Sequence, residues 1–434
     1  MTPTAAFDQH HPPLPELINQ CVHCGFCLPA CPTYALWGNE MDSPRGRIYL
    51  MKMASEGATA MTEPWVQHMD TCLGCMSCMT ACPSGVDYAK LIEATRAQIE
   101  RRHPRSRAER LHRWIIFNTF PRVDRLRLLR GFLRVYQKCG LQSLVRGSGL
   151  LKLLPREFRA MEVLMPKLGP RDSIPAVAPA RGEKRRRVGL LLGCVQREFI
   201  PEINAATVRV LAAEGCEVIS PPDQPCCGAL MVHAGEETPA LDLARRVIDV
   251  FEREPVDAII TNAGGCGSNV REYGYQLRDD PQYAERAARF SAKCKDIAEF
   301  LEELVPRAPR QLLNLRVAYH DSCHLQHAQR VRTQPRAQLA AIPGVELLEL
   351  SEATLCCGSA GIYNLVQPDT ADELADRKAQ HIASAQPDVV ATGNVGCMLQ
   401  IAAALARRGQ TTPVLHTIQL IDASLRGVKP PGVY

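Results

Sequence analysis

The sequence predicts a mixed α+β and α/β fold: a cysteine-rich helical N-terminal domain, a basic helical middle segment and a duplicated α/β C-terminal region. Three observations carry this prediction. Eight of the 19 cysteines form two tight quartets before residue 90, and basic side chains concentrate in residues 101–170. After Val188, short apolar runs alternate with helical patterns, and the whole pattern recurs about 130 residues later. Such alternation is typical of parallel sheets covered by helices.

Composition excludes several classes of protein. With 46% apolar and 22% charged residues, the 434-residue chain can bury a substantial core and is not of the disordered or collagenous type. We expect no transmembrane helix, because no run of about 18 apolar residues is present. The N-terminus lacks the pattern of a secretory signal. An odd number of cysteines, 19, in such a chain favours metal binding or redox chemistry over structural disulfides.

Both quartets follow the spacing C-x2-C-x2-C-x3-C-P, as CVHCGFCLPACP and CLGCMSCMTACP. This is the bacterial-type spacing for two [4Fe–4S] clusters, in which the fourth cysteine of each run ligates the other cluster. We therefore predict a two-cluster ferredoxin-type domain in residues 1–95. Its ligands are Cys21, Cys24, Cys27 and Cys82 for cluster 1, and Cys72, Cys75, Cys78 and Cys31 for cluster 2. The alternative is zinc, whose structural sites need only two C-x2-C pairs and no trailing C-P.

A helix is predicted between the two quartets. Ser43 fits its N-cap and Pro44 its first position. Arg45 and Arg47 on this helix lie close in sequence to the loop of the first quartet. Two interpretations remain open for them: they raise the potential of that cluster or contact a partner subunit, or they are solvated side chains on a capped helix.

Residues 96–180 are predicted to be a basic helical segment ending in a linker. From Arg101 to Pro170 there are 17 basic and 4 acidic side chains, a local net charge of +13 in a chain whose net charge is +5. This excess fits docking on an anionic membrane surface or on a flavin subunit. A solvated helical face is the alternative. Nucleic-acid binding also fits the charge, but we expect none, because the clustered cysteines explain the chain better.

The C-terminal region contains its structural unit twice. Predicted strands are VGLLLG, CEVIS and VDAIIT, and PEINAATVRVLAAEG is predicted as a helix that ends at Gly215. Three cysteine landmarks recur at offsets of 129, 130 and 131 residues, including the Cys-Cys-Gly motifs QPCCGALM and TLCCGSAG. We define residues 181–310 as the first CCG unit and residues 311–434 as the second. Their duplication predicts a pseudo-two-fold axis.

A resemblance to a known family extends over nearly the whole chain. The motifs that carry it are CVHCGFCLPACPTY, DSPRGRIYLMK, CLGCMSCMTACPSG, DSCHLQHAQ, CCGSAGIYNL and TGNVGCMLQ. The chain resembles the iron–sulfur subunits of glycolate oxidase (glycolate dehydrogenase). The double cluster motif and the CCG units are shared by related proteins: the electron-transfer subunit of anaerobic glycerol-3-phosphate dehydrogenase, lactate-utilisation proteins and heterodisulfide reductase subunits.

The resemblance implies further metal sites in the CCG units. The candidate ligands are Cys194, Cys226, Cys227 and Cys266 in the first unit, and Cys323, Cys356, Cys357 and Cys397 in the second. Full units of the wider family end in C-x-x-C, but Ala263 and Asn394 stand where its first cysteine would be. This departure puts a five-cysteine non-cubane cluster in doubt, whereas four thiolates suffice for one more [4Fe–4S] cluster in one or both units. The alternative is that these cysteines only pack in the core.

Five other residues are candidates for ligands or packing groups. His324 and His327 flank Cys323 and could serve as ligands or as groups that support them. Three cysteines outside both patterns are predicted to be packing residues: Cys139, Cys216 and Cys294.

The predicted function is electron transfer, without catalytic residues in this chain. No dinucleotide-binding glycine motif follows a strand and no phosphate-binding loop is present, so we expect no flavin or nicotinamide site. The resemblance implies an FAD-binding flavoprotein partner that oxidises glycolate to glyoxylate, and electrons that leave toward the quinone pool or a membrane acceptor. It implies a cytoplasmic protein, peripheral on the inner face of the cytoplasmic membrane.

Three alternatives stay open. The chain fits the equivalent subunit of a related complex, for lactate, glycerol-3-phosphate or heterodisulfides. A second hypothesis makes the CCG region itself a disulfide reductase, and the missing cysteine in both units counts against it. A third makes that region a metal-free scaffold for partner subunits. Iron content distinguishes this scaffold from a chain with loaded CCG units, at about eight atoms per chain against twelve to sixteen.

Overall fold

The computed structural model describes residues 6–169 and 173–433 of the chain. In these residues a helical N-terminal domain is followed by a helical middle segment and two α/β units. Residues 1–5 and the beginning of the predicted linker, Pro170 to Asp172, lie outside the described residues. Among the described helices, none combines the length and the apolar character that crossing a bilayer requires.

The N-terminal domain consists of short helices around the two cysteine loops. They are α1 (Pro15–Asn19), α2 (Pro32–Trp37), α3 (Pro44–Ser55), α4 (Glu63–Asp70), α5 (Ser77–Ala81) and α6 (Tyr88–Arg102), with a 3-10 turn at Glu40–Asp42. The predicted start of α3 is confirmed: Ser43 is the N-cap, and its hydroxyl accepts a hydrogen bond from the Gly46 N–H at 3.0 Å. Helix α6 runs through the proposed domain boundary at residue 95.

The middle segment is helical, as predicted. It contains α7 (Arg107–Thr119), α8 (Val123–Lys138), α9 (Leu141–Gly147), a 3-10 turn at Leu150–Leu153 and α10 (Arg156–Val163). Its arginines do not form one solvated face, because Arg130 is buried on α8 and donates a hydrogen bond to the Gly169 carbonyl at 2.7 Å. Leu128, Phe132 and Val135 are instead exposed on the same helix.

The first CCG unit contains a five-stranded sheet of order β1-β3-β2-β4-β5, parallel except for β1. The strands are β1 (Val177–Ala178), β2 (Arg186–Leu190), β3 (Cys216–Ile219), β4 (Ala258–Thr261) and β5 (Cys294–Asp296). The helices are α11 (Val195–Phe199), α12 (Pro201–Ala213), α13 (Ala229–Val232), α14 (Glu237–Glu252), α15 (Gly264–Arg271), α16 (Tyr273–Gln276), α17 (Ala284–Lys293) and α18 (Ile297–Leu304). The three strands and the helix predicted here are confirmed, although α12 ends at Ala213 and not at Gly215, and β2 ends at Leu190.

The second CCG unit repeats this plan with a fully parallel sheet of order β7-β6-β8-β9. The strands are β6 (Leu315–His320), β7 (Val345–Leu348), β8 (Val389–Thr392) and β9 (Val414–His416). A π-helical turn at His324–Ala328 precedes α19 (Thr333–Ala340), α20 (Tyr363–Val366), α21 (Pro368–Ala385), α22 (Val395–Arg407) and α23 (Thr417–Arg426). The order matches β3-β2-β4-β5 strand for strand, as a duplicated unit requires.

The two CCG units pack on each other reciprocally. Helix α12 of the first unit packs on α23 of the second, and α19 of the second packs on α18 of the first. An ion pair of 2.7 Å between Arg209 and Asp422 joins the first pair of helices. The Gln338 amide donates to the Ala298 carbonyl at 2.6 Å across the second pair. Helices α12 and α19 occupy equivalent places in the two units, and so do α18 and α23. Each unit therefore makes the same contact with the other, which supports the predicted pseudo-two-fold axis.

Candidate metal centres

A small cavity lies at the loop between α1 and α2. The sulfur-bearing residues around it include the set predicted for cluster 1, namely Cys21, Cys24, Cys27 and Cys82. The first three stand on the loop, and Cys82 follows the end of α5. Cys24 is exposed to solvent, and its neighbours Val22 and Phe26 are each 67% exposed. The first site is therefore close to the molecular surface.

A second, separate cavity shares Cys78 of α5 with the first. Its lining includes the set predicted for cluster 2, Cys31, Cys72, Cys75 and Cys78. All four cysteines are buried. Cys31 reaches this cavity because it is the N-cap residue of α2, which leads the chain away from the first loop. Cys78 lies between the two cavities and borders both.

The chemistry of these donors fits iron–sulfur clusters. Burial raises the pKa of Cys27 to about 11 and that of Cys75 to about 12. Such buried thiols ionise only beside a strong positive charge, which cluster irons supply. A single metal ion needs donor atoms that lie close together. Among the described residues, the buried set of three donor atoms within 4.8 Å of one another belongs to the second CCG unit and to neither quartet. Neither quartet therefore has the spacing of a single-ion site, which argues against the zinc alternative.

Arg47 is a buried residue whose positive charge borders the second cavity. From its position in the sequence we expected it beside the loop of the first quartet. Arg47 is 1% exposed and borders the second cavity. Its guanidinium donates to the His68 carbonyl at 2.6 Å and to the Thr71 hydroxyl at 3.1 Å, and it pairs with Asp42 at 3.4 Å. It lies here because α3 passes between the two loops.

Arg47 also acts on the cysteines. Burial alone would raise the pKa of Cys72, but the charges of Arg47 and Arg96 lower it below its ordinary value. The Gly74 N–H donates to the Cys72 sulfur at 3.4 Å, which favours the thiolate further. By contrast, Arg45 does lie at the first loop, where it donates to the His23 carbonyl at 3.1 Å.

The four cysteines of the first CCG unit meet at the carboxyl end of its sheet. Cys194 precedes α11, Cys226 and Cys227 stand on the loop after β3, and Cys266 lies in the first turn of α15. The sulfur atoms of Cys194 and Cys226 are 3.3 Å apart. Ala263, where the wider family has a fifth cysteine, is the N-cap of α15.

The second CCG unit has the same arrangement with one difference. Cys323 and Cys356 have sulfur atoms 4.0 Å apart, and Cys397 lies in the first turn of α22. Asn394, at the place of the absent cysteine, caps this helix, and its amide contacts the Cys397 sulfur at 3.6 Å. The difference is His320, whose ring lies within 4.8 Å of the donor atoms of Cys357 and Cys397. Sequence reasoning missed this histidine, because it belongs to no motif.

Both CCG units open into one shared cavity of about 770 Å³. The eight candidate cysteines of the two units line it. Apolar side chains of the middle segment complete the wall, among them Leu129, Phe132 and Leu133 of α8 and Met161 of α10. The sequence could not predict this cavity, because its walls come from three parts of the chain that meet only in the folded protein.

The second quartet is in contact with the second CCG unit. Leu73 and Cys75 pack in one buried cluster with Cys323 and Cys356. The Tyr363 hydroxyl donates to the Thr71 carbonyl at 3.0 Å across the same boundary. The site predicted for cluster 2 is thus next to the cysteines of the second CCG unit.

His324 and His327 hold this boundary together. His324 shares a hydrogen bond of 2.9 Å with the Gly74 carbonyl, and His327 lies 2.7 Å from the Thr80 hydroxyl. Burial lowers the pKa of His324 to about 3, so its ring is neutral. Their ring nitrogens are used in these contacts, which favours the supporting role over the role of metal ligand.

The remaining cysteines divide into two kinds. All 19 cysteines are free of disulfides. Cys216 and Cys294 are buried in β3 and β5, as predicted for packing residues. The same prediction is wrong for Cys139, which is exposed because it caps the C-terminal end of α8 at the surface.

Comparison with known proteins is consistent with this arrangement. Three family models match: a 4Fe-4S dicluster domain over residues 17–86, the linker region of the glycolate oxidase iron–sulfur subunit over 108–165, and a cysteine-rich domain over 188–271 and 317–402. The probable glycolate oxidase iron–sulfur subunit of Bacillus subtilis is 39% identical over 94% of each chain. The glycolate oxidase iron–sulfur subunit of Escherichia coli is 36% identical over 94% of this chain and 95% of its own. One of the subunits of the fumarate reductase (CoM/CoB) of Methanothermobacter marburgensis is 33% identical over 54% of this chain and 46% of its own.

Proposed function

The chain belongs to the family of glycolate oxidase iron–sulfur subunits, and we therefore propose that it carries electrons from a glycolate-oxidising flavoprotein toward a quinone. One observation carries the proposal. Each predicted four-cysteine set borders a cavity of its own, and the second set packs against the cysteines of the second CCG unit. Iron–sulfur clusters bound at such sites exchange single electrons.

The proposed ligands are those of the crossed assignment, four cysteines at each cavity. Residues around them exclude water and carry charge: Tyr88 borders both cavities, and Arg47 supplies a buried positive charge at the second. We assign a third cluster to the four cysteines of the first CCG unit. Iron analysis tests this assignment, with about twelve atoms per chain expected and about eight contradicting it.

The flavoprotein is proposed to dock at the first cavity, the one near the surface. Val22 and Phe26 are large apolar side chains that water surrounds in the free chain, and such groups mark protein contacts. The double change Val22→Asp and Phe26→Asp should abolish co-purification of a flavin-containing partner while the cluster absorption persists. Leu312→Asp, at an apolar residue of the second CCG unit that is 61% exposed, is the control. Co-purification that survives the double change contradicts this docking site.

The quinone is proposed to enter the shared cavity. Its apolar wall and its size of about 770 Å³ suit part of a large apolar molecule, and it adjoins the candidate cysteines. Gly265 lines the cavity, and a Cβ at this position would point into open space. Gly265→Leu should therefore slow quinone reduction and leave reduction of the clusters by glycolate unchanged, with Gly265→Ala as the control. Equal quinone rates in the two variants contradict the assignment.

Peripheral membrane contact is proposed for the exposed side of α8. Leu128, Phe132 and Val135 recur there at helical spacing, beside exposed Arg125 and Arg127. Apolar and basic side chains together favour the surface of an anionic bilayer. Replacing the three apolar residues by serine should abolish co-sedimentation with vesicles containing anionic lipid. Leu111→Ser on α7 is the control, and unchanged co-sedimentation of the triple variant contradicts the proposal.

The central experiment concerns the substrate. The complex purified anaerobically should contain flavin, and its visible iron–sulfur absorption should bleach on addition of glycolate. Lactate, glycerol 3-phosphate and a disulfide in the reverse direction are tested in parallel. A complex that bleaches with lactate or glycerol 3-phosphate and not with glycolate contradicts the proposed substrate and leaves the electron-transfer role intact.

A further inference from the structure

His320 is a buried histidine that the electron-transfer function does not use. It is the last residue of β6, at the carboxyl end of the second sheet, and it is 1% exposed. Neither ring nitrogen has a hydrogen-bond partner of normal geometry. The Cys397 thiol interacts with this imidazole, but a thiol is a weak hydrogen-bonding group and replaces little of the lost interaction with water. Such a residue indicates a ligand that binds beside it.

The neighbours of His320 are metal-binding groups. One nitrogen of its ring and the sulfur atoms of Cys357 and Cys397 all lie within 4.8 Å of one another. Ligands of one tetrahedral ion, at bond lengths of about 2.0 Å to nitrogen and 2.3 Å to sulfur, are roughly 3.5–3.8 Å apart. Small side-chain rotations therefore bring these three donors onto a single ion.

The charge of the site also fits one divalent ion. Two thiolates and a neutral imidazole balance a charge of +2, so the occupied site is neutral, as burial requires. The Asn394 amide contacts the Cys397 sulfur at 3.6 Å and supports the thiolate form. Cys397 also lies in the first turn of α22, where the helix dipole favours negative charge.

The first CCG unit has an apolar residue at the position equivalent to His320. Tyr319 pairs with Ala391 in the second sheet as Leu190 pairs with Ile260 in the first, so the next residue, Leu191, is the counterpart of His320. Leu191 is buried in the apolar core. The two units therefore differ in donor chemistry, although they share a fold.

We propose that His320, Cys357 and Cys397 form a binding site for one divalent transition-metal ion of the zinc type. The site has three protein ligands, and Cys357 and Cys397 face the shared cavity. Three protein ligands leave a fourth position for water or a small ligand. This site is independent of the substrate of the partner and of the two clusters at the quartets.

The first experiment uses X-ray absorption at the zinc edge on the full chain, purified anaerobically with its clusters and given one equivalent of Zn²⁺. The expected spectrum contains both sulfur, at about 2.3 Å, and nitrogen, at about 2.0 Å. Nitrogen and oxygen ligands alone would place the metal at the partly exposed group of His10, His11 and Glu237 and overturn the proposal. A spectrum with sulfur alone would also overturn it.

The second experiment compares the Zn²⁺ affinity of single-residue variants that keep the fold of the chain. His320→Leu reproduces the residue of the first unit and should weaken Zn²⁺ binding at least tenfold, measured by competition with a chelator. His320→Cys supplies a thiolate and should restore binding. His416→Asn is the control, since His416 is a buried histidine of the same unit that caps α23 through its ring. Unchanged affinity in His320→Leu, with cluster absorption and helical content preserved, would overturn the proposal.

Discussion

Arg47 is a buried charge whose effects reach both stability and the metal site. Its guanidinium is held by carbonyl and hydroxyl oxygens and by Asp42, and it lies beside Cys72. A buried cation next to thiolates stabilises negative charge, so it also favours the reduced, more negative form of a nearby cluster. The residue therefore links the packing of α3 to the properties of the second cavity.

Arg47→Leu tests this link. It should lower the free energy of unfolding by about 3 kcal/mol, because the buried Asp42 loses its arginine partner and keeps only its contacts with His68 and Thr71. The reduction potential of the cluster bound at the second quartet should fall, since a positive charge is lost. Chemical denaturation and redox titration followed by electron paramagnetic resonance measure the two effects.

Two further variants separate charge from packing. Arg45→Leu, at the first loop, should leave the second potential unchanged. Arg47→Leu combined with Asp42→Asn should recover part of the lost stability, because the buried carboxylate that has lost its arginine partner is gone. A potential that is unchanged in Arg47→Leu would show that the charge does not act on this cluster.

Among the secondary-structure elements, short helices direct each cysteine to its site. Helix α2 begins directly after Cys31 and carries the chain away from the first loop, while α5 ends directly before Cys82. Each fourth cysteine therefore faces the cavity of the other quartet. The trailing prolines are not equivalent, because Pro32 begins a helix and Pro83 begins a turn.

The crossed assignment predicts the outcome of two single substitutions. Cys31→Ser should damage the cluster held mainly by the second quartet, and Cys82→Ser the cluster held mainly by the first. Electron paramagnetic resonance of the partly reduced protein distinguishes the two clusters by their environments. If each substitution affects only the cluster of its own quartet, the ligation is not crossed.

The glycine of each Cys-Cys-Gly motif allows a helix to pack closely on the cysteine loop. Gly358 has φ +86°, and a Cβ there would collide with the backbone of Ala371 on α21. Gly140 has a similar φ of +78° and no atom within 4 Å of such a Cβ. Substitutions at these two glycines therefore separate the free-energy cost of the left-handed backbone conformation from the cost of a steric clash.

Gly358→Ala should therefore destabilise the protein more than Gly140→Ala. At Gly140 the free energy of unfolding should fall by about 1 kcal/mol, because alanine is strained in the left-handed conformation. At Gly358 the free energy of unfolding should fall by about a further 1–3 kcal/mol because of overpacking. Thermal or urea unfolding of both variants measures the difference, and equal losses would mean that the loop moves freely away from α21.

Across the whole molecule, the candidate sites form a connected series. The first cavity is near the surface, the second shares Cys78 and Tyr88 with it and has buried cysteines, and the second CCG unit adjoins the second cavity. His324 lies at the last boundary, bonded to the Gly74 carbonyl and near the Ser268 hydroxyl at 2.9 Å. If the contacts at this boundary break, the second cavity no longer adjoins the cysteines of the second CCG unit.

The boundary should weaken in mild acid. Burial lowers the pKa of His324 from 6.5 to about 3, so the unfolded chain takes up a proton below pH 6.5 while the folded chain does not. Proton uptake by the unfolded state alone reduces folding stability as pH falls from 6.5 toward 3. At pH 5.5 the loss due to His324 is about 1.4 kcal/mol, and at pH 7.5 it is close to zero.

His324→Gln should remove this part of the pH dependence. Glutamine keeps a donor and an acceptor and does not titrate. Urea midpoints of the two proteins at pH 7.5 and 5.5 measure the effect, and the difference between them should shrink in the variant. An identical pH dependence in both proteins would contradict the burial of a neutral histidine at this boundary.

The three-part fold, the cluster chemistry and the family can all be predicted from the amino-acid sequence. These depend on local signals: cysteine spacing, proline and serine at the start of a helix, alternating apolar runs and a repeat near 130 residues. Such signals arise within one loop or one element, so neighbouring residues are sufficient to read them.

Which distant residues meet is visible only in the folded chain. Arg47 lies at the second cavity, Arg130 is buried, and His320 joins Cys357 and Cys397, although no motif connects them. The shared cavity likewise has walls from three parts of the chain. The physical reason is that burial and contact between sheets and helices depend on how the elements pack, and residues far apart in sequence contribute to each contact.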